Sequence, residues 1–396
     1  MNKRKIKVVW LCPLNNKLIT NSLNLKIDVE YAPWISQLIN IFSEYSKAEI
    51  HVVSPNWHIC KIKYFKHNGI HYHFFPVKIF PGKSAYSTLL HFQINFFIPK
   101  YFIKNIIKRI NPDLIHLFGS ENPYYSSGIL QFKNKYPVLM SVQGFASCQK
   151  FLHKKNHRKR VMIEQRIIQK FNNFGVRDEA MKNFISFLNT DANFYWHEMP
   201  VIKPDNIEIE SKKYDFIFFS RVTKDKGIED LIKALSIIKR FKKNISLCVI
   251  GQISEKYTKT FYNLISEYDL KNNIFYKGAL NYINDVHKIA IMSKVSVLPT
   301  WADTIPGTII ESMFMKIPCV SYNTGGIPTL NEKKETIKLV ERGDIVGLAR
   351  QMEFLLDNPV YSKKMAERAY EYVNNRWNDK NIYVQVSNIY EKMLNQ

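Results

Sequence analysis

Residues 299–328 read PTWADTIPGTIIESMFMKIPCVSYNTGGIP, and this stretch decides the fold. It begins where an apolar run, 295–298, stops at Pro299. A short polar segment leads to Pro306 and Gly307, and a helical pattern follows over 307–315. A second apolar run at 319–321 ends in Gly325-Gly326-Ile327-Pro328. Strand, loop, helix, strand and turn in that order make one step of a parallel α/β sheet. Two carboxylates, Asp303 and Glu311, stand eight positions apart around the start of the helix.

The same rhythm extends in both directions. Strands are expected at 6–11, 49–54, 71–77, 114–117 and 138–142. Further strands are expected at 215–219, 246–250, 274–276, 295–298, 319–321 and 337–339. Helical patterns include 33–45, 101–110, 228–241 and 307–315, and an amphipathic helix runs from 379 towards 394. A chain of 396 residues exceeds what one core usually holds, which argues for two domains. The polar stretch 200–213, with Pro200 and Pro204, marks the boundary. The expected division is 1–205, 206–378 and a helix at 379–396.

The bulk composition narrows the classes. No apolar run nears the ~18 residues of a membrane span. Lys3, Arg4 and Lys5 precede an apolar run as in a signal peptide, but Lys7 interrupts it and Pro13 follows early. The reading is therefore a first buried strand. Five cysteines (Cys12, Cys60, Cys148, Cys248 and Cys319) are scattered without metal-ligand spacing, which fits a reducing compartment. The net charge is +23. Residues 1–200 carry 28 Lys+Arg against 11 Asp+Glu, so most of the excess lies there. Such a field suits anionic surfaces or acidic substrates.

The second half also carries Arg221-Val222-Thr223-Lys224-Asp225-Lys226-Gly227, directly after the strand 215–219. Ligands of open parallel sheets sit outside the carboxyl ends of the strands. Arg221 and Lys226 there combine a fork of donors with a mobile point charge, which suits a diphosphate. A solvated basic loop explains the motif alone equally well. Pro306 suits the helix start, Gly307 lets a ligand approach the backbone, and free amides around Thr308 favour an oxygen anion. Glu311 can accept two hydrogen bonds from a vicinal diol such as a ribose. The plain alternative for Asp303 is a helix cap. Glu311 lies beside Ile309, Ile310, Met313 and Phe314 with no obvious basic neighbour, so it needs a partner. Gly325 opens a turn where backbone meets ligand.

Arg-x4-Lys-Gly, Asp-x7-Glu and the Gly-Gly-Ile-Pro turn, in this order, resemble glycosyltransferase family 4, the retaining GT-B enzymes. The resemblance is strong over about 214–330. In the first half, Asn111-Pro112-Asp113-Leu114-Ile115-His116 and Gln143-Gly144 also match. It implies an α/β GT-B fold, with two Rossmann-like doubly wound domains facing a central cleft. The first would bind the acceptor, the second the donor, and the last helix would cross back to the first. The implied activity is that of a retaining hexosyltransferase moving a sugar from a nucleotide-diphosphate sugar to a glycan or lipid-linked acceptor, in surface polysaccharide or glycolipid synthesis.

By the same resemblance, Arg221 and Lys226 bind the donor diphosphate and Glu311 the ribose. Asp303, where the family usually has Glu, contacts the transferred sugar. Pro306, Gly307, Thr308 and Gly325 line the donor. Three departures stand out. Gln143 replaces a histidine and cannot do acid–base work. The glycine-rich loop before the first helix is missing at Glu30-Tyr31-Ala32-Pro33-Trp34. Thr329 replaces an acidic residue. No Asp-x-Asp occurs, so neither a catalytic metal nor another cofactor is implied. His71 and His73 alternate onto one strand face, but no third ligand is evident, and a surface strand is the expected reading.

Two basic segments, 100–110 and 154–160, suggest association with an anionic membrane surface, at the inner face of a cytoplasmic compartment. An ordinary helix packing its isoleucines on the sheet is the competing reading. Nucleic acid is not an expected partner, since no recognised binding motif occurs. Two rivals remain: an enzyme with a small soluble acceptor, and a non-catalytic basic module that binds nucleotide or membrane. A dehydrogenase is disfavoured, because no Gly-x-Gly-x-x-Gly follows the first strand.

Overall fold

The computed structural model describes residues 4–26, 30–79, 84–148, 155–205 and 211–395. The chain divides into two compact units, Met1–Pro200 with Asp379–Gln396, and Val201–Asn378.

The first unit is built on an eight-stranded sheet. Its strands are β1 (Lys7–Leu11), β2 (Glu49–Asn56), β3 (Lys63–His67), β4 (Ile70–Pro76), β5 (Leu114–Phe118), β6 (Val138–Ser141), β7 (Asn173–Val176) and β8 (Asn193–Trp196). Their spatial order is β3-β4-β2-β1-β5-β6-β7-β8, and only the β3–β4 pair is antiparallel. Central strands covered on both faces read as continuous apolar runs, which is why β1 and β5 were legible.

Three strands escape the apolar-run criterion. β3 reads KYFKH, an edge strand whose lysines guard it against further pairing. β7 (NFGV) and β8 (NFYW) are four residues each and open on asparagine, so they read as turns. The helix α1 (Pro33–Tyr45) starts at a proline, as expected. The helix α2 (Phe97–Ile110) packs on β4 and β2 and buries Ile103, Ile106, Ile107 and Ile110 in the core, while Lys104 and Lys108 stay exposed. The packing reading of that segment therefore holds for its apolar face.

In the second basic run Lys154 lies outside the described residues. On the helix α3 (Lys155–Ile168), Lys159 Nζ donates to the Phe92 carbonyl at 2.8 Å. Arg160 donates through Nε and Nη2 to the Glu121 carbonyl at 3.1 and 3.0 Å. Those two bases are internal ties rather than a free surface.

The terminal helix Asp379–Leu394 packs within the first unit through a polar chain. Trp10 Nε1 donates to the Tyr390 hydroxyl at 3.0 Å, and that hydroxyl meets His116 Nδ1 at 2.6 Å. His116 Nε2 meets Ser141 Oγ at 2.6 Å, and His197 Nε2 meets the same oxygen at 2.7 Å. Burial holds both histidines down, His116 well below its ordinary value and His197 to about 4.

The second unit has six parallel strands: β9 (Tyr214–Phe219), β10 (Leu247–Ile250), β11 (Ile274–Tyr276), β12 (Ser293–Leu298), β13 (Cys319–Tyr322) and β14 (Lys338–Val340). The order is β11-β10-β9-β12-β13-β14. Numbered within the unit this is 3-2-1-4-5-6, the doubly wound order, with its direction reversal between β9 and β12. The helices that matter for the site are α4 (Ile228–Lys239), α5 (Ile283–Ala290) and α6 (Gly307–Phe314).

Candidate functional site

The reversal between β9 and β12 determines where the motifs meet. Both strands end at the same edge, so the segment after β9 and the segment after β12 leave the sheet side by side. Arg221 and Lys226 stand in the first, and Asp303, Pro306, Gly307 and Thr308 in the second. Gly325 arrives from the end of β13.

Three hydrogen bonds lock these loops together, two between backbone groups and one from a side chain. Trp301 N–H donates to the Asp225 carbonyl at 2.8 Å, and Gly326 N–H donates to the Thr304 carbonyl at 2.9 Å. Thr308 Oγ1 donates to the Phe219 carbonyl at 3.0 Å, so its hydroxyl fastens α6 to β9. Two glycines permit the closeness. A Cβ on Gly227, at φ +81°, would lie 1.9 Å from the Pro299 carbonyl oxygen. A Cβ on Gly325, at φ +56°, would lie 1.5 Å from that of Asp303. No side chain fits in either place.

Asp303 does not cap the helix. The N-cap of α6 is Pro306, and no side chain bonds to the first turn there. Asp303 Oδ2 instead forms an ion pair with Lys226 Nζ and accepts from Thr300 Oγ1 at 3.1 Å. The pair is largely shielded, with side chains 13% and 20% exposed. Arg221 is different: its side chain is 66% exposed, and Nη2 reaches Asp225 Oδ2 only at 3.8 Å. The guanidinium keeps most of its donors for an incoming anion.

Glu311 has a partner that no spacing could indicate. His287 on α5, 24 positions earlier, places Nε2 3.1 Å from Glu311 Oε2. The imidazole is fully buried and its Nδ1 has no hydrogen-bond partner. Glu311 Oε1 lies 3.3 Å from where a Gly307 Cβ would stand, so the carboxylate rests against bare backbone at the start of α6. The first amides of that helix have no acceptor within it. A second unforeseen group is Asp230 on α4, which accepts from Trp301 Nε1 at 2.8 Å and the Tyr322 hydroxyl at 3.0 Å. It braces the loop after β12 against β13.

Gln143 belongs to the other unit, beyond the end of β6. Its Nε2 is buried and has no hydrogen-bond partner. Glu121, beyond β5, was not anticipated. Burial and the nearby Glu164 push its carboxyl up to about 7, and its Oε2 is also unpartnered. Its signal is only tertiary, since a lone Glu after a strand is ordinary in sequence.

Residues 202–372 match the family model described as glycosyl transferases group 1. The matched segment holds every candidate site residue of the second unit. The chain is 25% identical over 205 residues to the capsular polysaccharide biosynthesis glycosyltransferase CapM of Staphylococcus aureus, covering 48% of this chain and 51% of that protein. It spans about half the length of the curated relatives it matches. Two solved structures share the fold across nearly the whole chain. Sucrose-phosphate synthase from Thermosynechococcus elongatus superposes with a TM-score of 0.75 at 15% identity, covering 98% of this chain and 99% of that one. HepE from Anabaena, in complex with UDP and glucose, gives 0.70 at 14% identity, covering 98% and 100%. The fold is that of the GT-B glycosyltransferases, with two parallel-rich α/β units.

Among the described residues no helix is long and apolar enough to cross a membrane.

Proposed function

We propose that the protein is a retaining glycosyltransferase that moves a sugar from a nucleotide-diphosphate donor to a glycan or lipid-linked acceptor in polysaccharide synthesis. The observation that carries this is the meeting of Lys226, Asp303 and the His287-held Glu311 at the topological switch of a six-stranded doubly wound sheet. The matched family segment and the UDP and glucose bound by HepE agree with it.

The chemistry follows from the groups present. Glu311 accepts hydrogen bonds from the two ribose hydroxyls. The amides at Gly307 and Thr308 and the donors of Arg221 hold the diphosphate. Lys226 loosens from Asp303 towards a phosphate oxygen and leaves the carboxylate to the sugar hydroxyls. The bond from the anomeric carbon to the phosphate oxygen breaks. The acceptor oxygen bonds on the same face, and its proton passes to the departing diphosphate. Arg221 and Lys226 stabilise the charge that develops there. No step uses a protein nucleophile or a metal.

A lipid-linked acceptor is favoured by the exposed face of the first unit. Phe97 and Tyr101 are 66% and 55% exposed on the helix that presents Lys104 and Lys108 to solvent. Aromatic rings beside lysines suit an anionic membrane surface at the inner, cytoplasmic side.

Thermal-shift measurements with UDP, GDP and ADP on the wild type and on Glu311→Ala test the donor site. Stabilisation by one nucleotide that the variant loses is expected. No shift with any of them, or an equal shift in the variant, overturns the assignment and leaves a non-catalytic basic module.

A further inference from the structure

We propose that Glu49, His51 and His71, on the first unit's sheet, form a binding site for a borderline divalent cation of the zinc type. The site is separate from the donor residues. It lies at the start of β2 and β4, the opposite end of the sheet from the carboxyl edge where ligands of such folds bind.

Strand pairing assembles it. β2 and β4 are parallel neighbours with His51 opposite His71, so the two imidazoles stack with centroids 4.4 Å apart. Glu49 is two residues before His51 and shares its face. Glu49 Oε1 lies 2.8 Å from His51 Nε2 and 4.0 Å from His71 Nε2. One ligand atom from each of the three residues falls within a 4.8 Å span. Zinc at about 2.0–2.2 Å from each ligand needs ligand atoms about 3.3 Å apart, within reach of small side-chain rotations. Two imidazoles and one carboxylate with a fourth position open to water form a familiar zinc donor set.

The outer contacts of these ligands are those a metal site requires. His71 Nδ1 is 2.8 Å from the Tyr64 hydroxyl on β3, and His51 Nδ1 is 3.0 Å from His73 Nε2. Each imidazole thus has its far nitrogen oriented by a neighbour while Nε2 faces the carboxylate. Without metal, His51 Nε2–H donates to Glu49; with metal, that proton moves to Nδ1 and is shared with His73. The side chains of His51, His71 and Glu49 are 8%, 15% and 29% exposed, enough for an ion to enter. Lys7 and Lys66 act on the same imidazoles as like charges, and they keep the affinity moderate.

The test uses the full chain stripped with a chelator and titrated with Zn2+ against a competing indicator. One equivalent should bind, and Co2+ in its place should give the visible absorption of a low-coordinate site. His51→Gln and His71→Gln should each weaken binding at least about tenfold, His73→Gln by about tenfold, and the exposed His67→Gln not at all. Zn2+ should raise the melting temperature of the wild type and of His67→Gln most, of His73→Gln less, and of His51→Gln and His71→Gln least. The metal-free melting temperature of each variant reports its folding, and His71→Gln, at the more open ligand, covers the case in which His51→Gln is unstable. Stoichiometric binding that is equal in wild type, His51→Gln and His71→Gln overturns the proposal, as does no binding at about 100 μM Zn2+.

Discussion

His287 with Glu311 and His51 with Glu49 are two histidine–carboxylate pairs of nearly the same contact, at 3.1 and 2.8 Å. Their surroundings differ. His287 is fully buried on a helix, with an unpartnered Nδ1, and among the described residues no second imidazole pairs with the carboxylate. It orients one oxygen of Glu311 and leaves the other facing the first turn of α6. His51 lies on a strand whose parallel neighbour places His71 opposite it. The carboxylate there faces two imidazoles, and the far nitrogen of each is engaged. A single imidazole orients a carboxylate for hydrogen-bonding ligands. A second one, delivered by strand register, converts the same pair into a chelate.

The largest effect expected from the proposed donor site belongs to its charge. Lys226→Ala should lower kcat by about 10²–10³, because it removes stabilisation of the leaving diphosphate. Steady-state kinetics with the nucleotide sugar identified by thermal shift checks this. A loss confined to KM would mean that Lys226 only binds.

His287→Gln divides the comparison next. If His287 is a positioning residue for Glu311, donor affinity should fall by about tenfold while the acceptor KM stays unchanged. A uniform loss of stability without a donor-specific change would reduce His287 to a core residue.

His197 is a buried histidine without a carboxylate partner, and it reports chiefly what burial does, with Arg177 adding in the same sense and the Glu198 carbonyl opposing. His197 has its value lowered to about 4 in the fold against 6.5 when unfolded. A depressed histidine value means that the unfolded chain binds the proton more readily. The stability is therefore full above pH 6.5 and is lost as the pH falls towards 4. The slope for this one group is about 1.4 kcal/mol per pH unit. Glu121, pushed up to about 7, works in the opposite sense between pH 4.5 and 7. The difference between wild type and His197→Asn isolates the histidine: their stabilities should converge as the pH drops from 6.5 to 4. Parallel denaturation midpoints across that range would contradict the assigned cause.

The smallest effect is the sharpest check on the separation of the two pairs. His51→Gln should leave the nucleotide-induced thermal shift and the rate of transfer within about twofold of wild type, since it lies off the carboxyl edge. A larger change would tie the two regions together.

Legibility followed burial and continuity. Residues 274–276 and 33–45 match β11 and α1 at both ends, because their apolar patterns and a starting proline are local facts. The short strands β3, β7 and β8, at or next to the edges of the sheet, carry lysine, asparagine and glycine, and their pairing comes from neighbours rather than from their own pattern. In the candidate site, Lys226, Asp303 and Glu311 were readable as chemistry, and the close approach of Gly325 as a turn. His287, Asp230 and Glu121 were not, because a lone histidine or acid on a helix or after a strand has no distinctive spacing. The missing partner of Glu311 could be anticipated only as a need.

The sequence by itself determined an alternating α/β chain, a cluster of ionisable residues in loops that follow strands, and the resemblance that joined them to sugar transfer. These are properties of residue type and short spacing, which a linear pattern carries. The tertiary structure decided the partners. The 3-2-1-4-5-6 order placed Lys226 against Asp303 across 77 positions, and strand register placed His51 against His71. Both contacts join residues distant in the chain, and only the packing of one strand against the next brings such residues within a bond's reach.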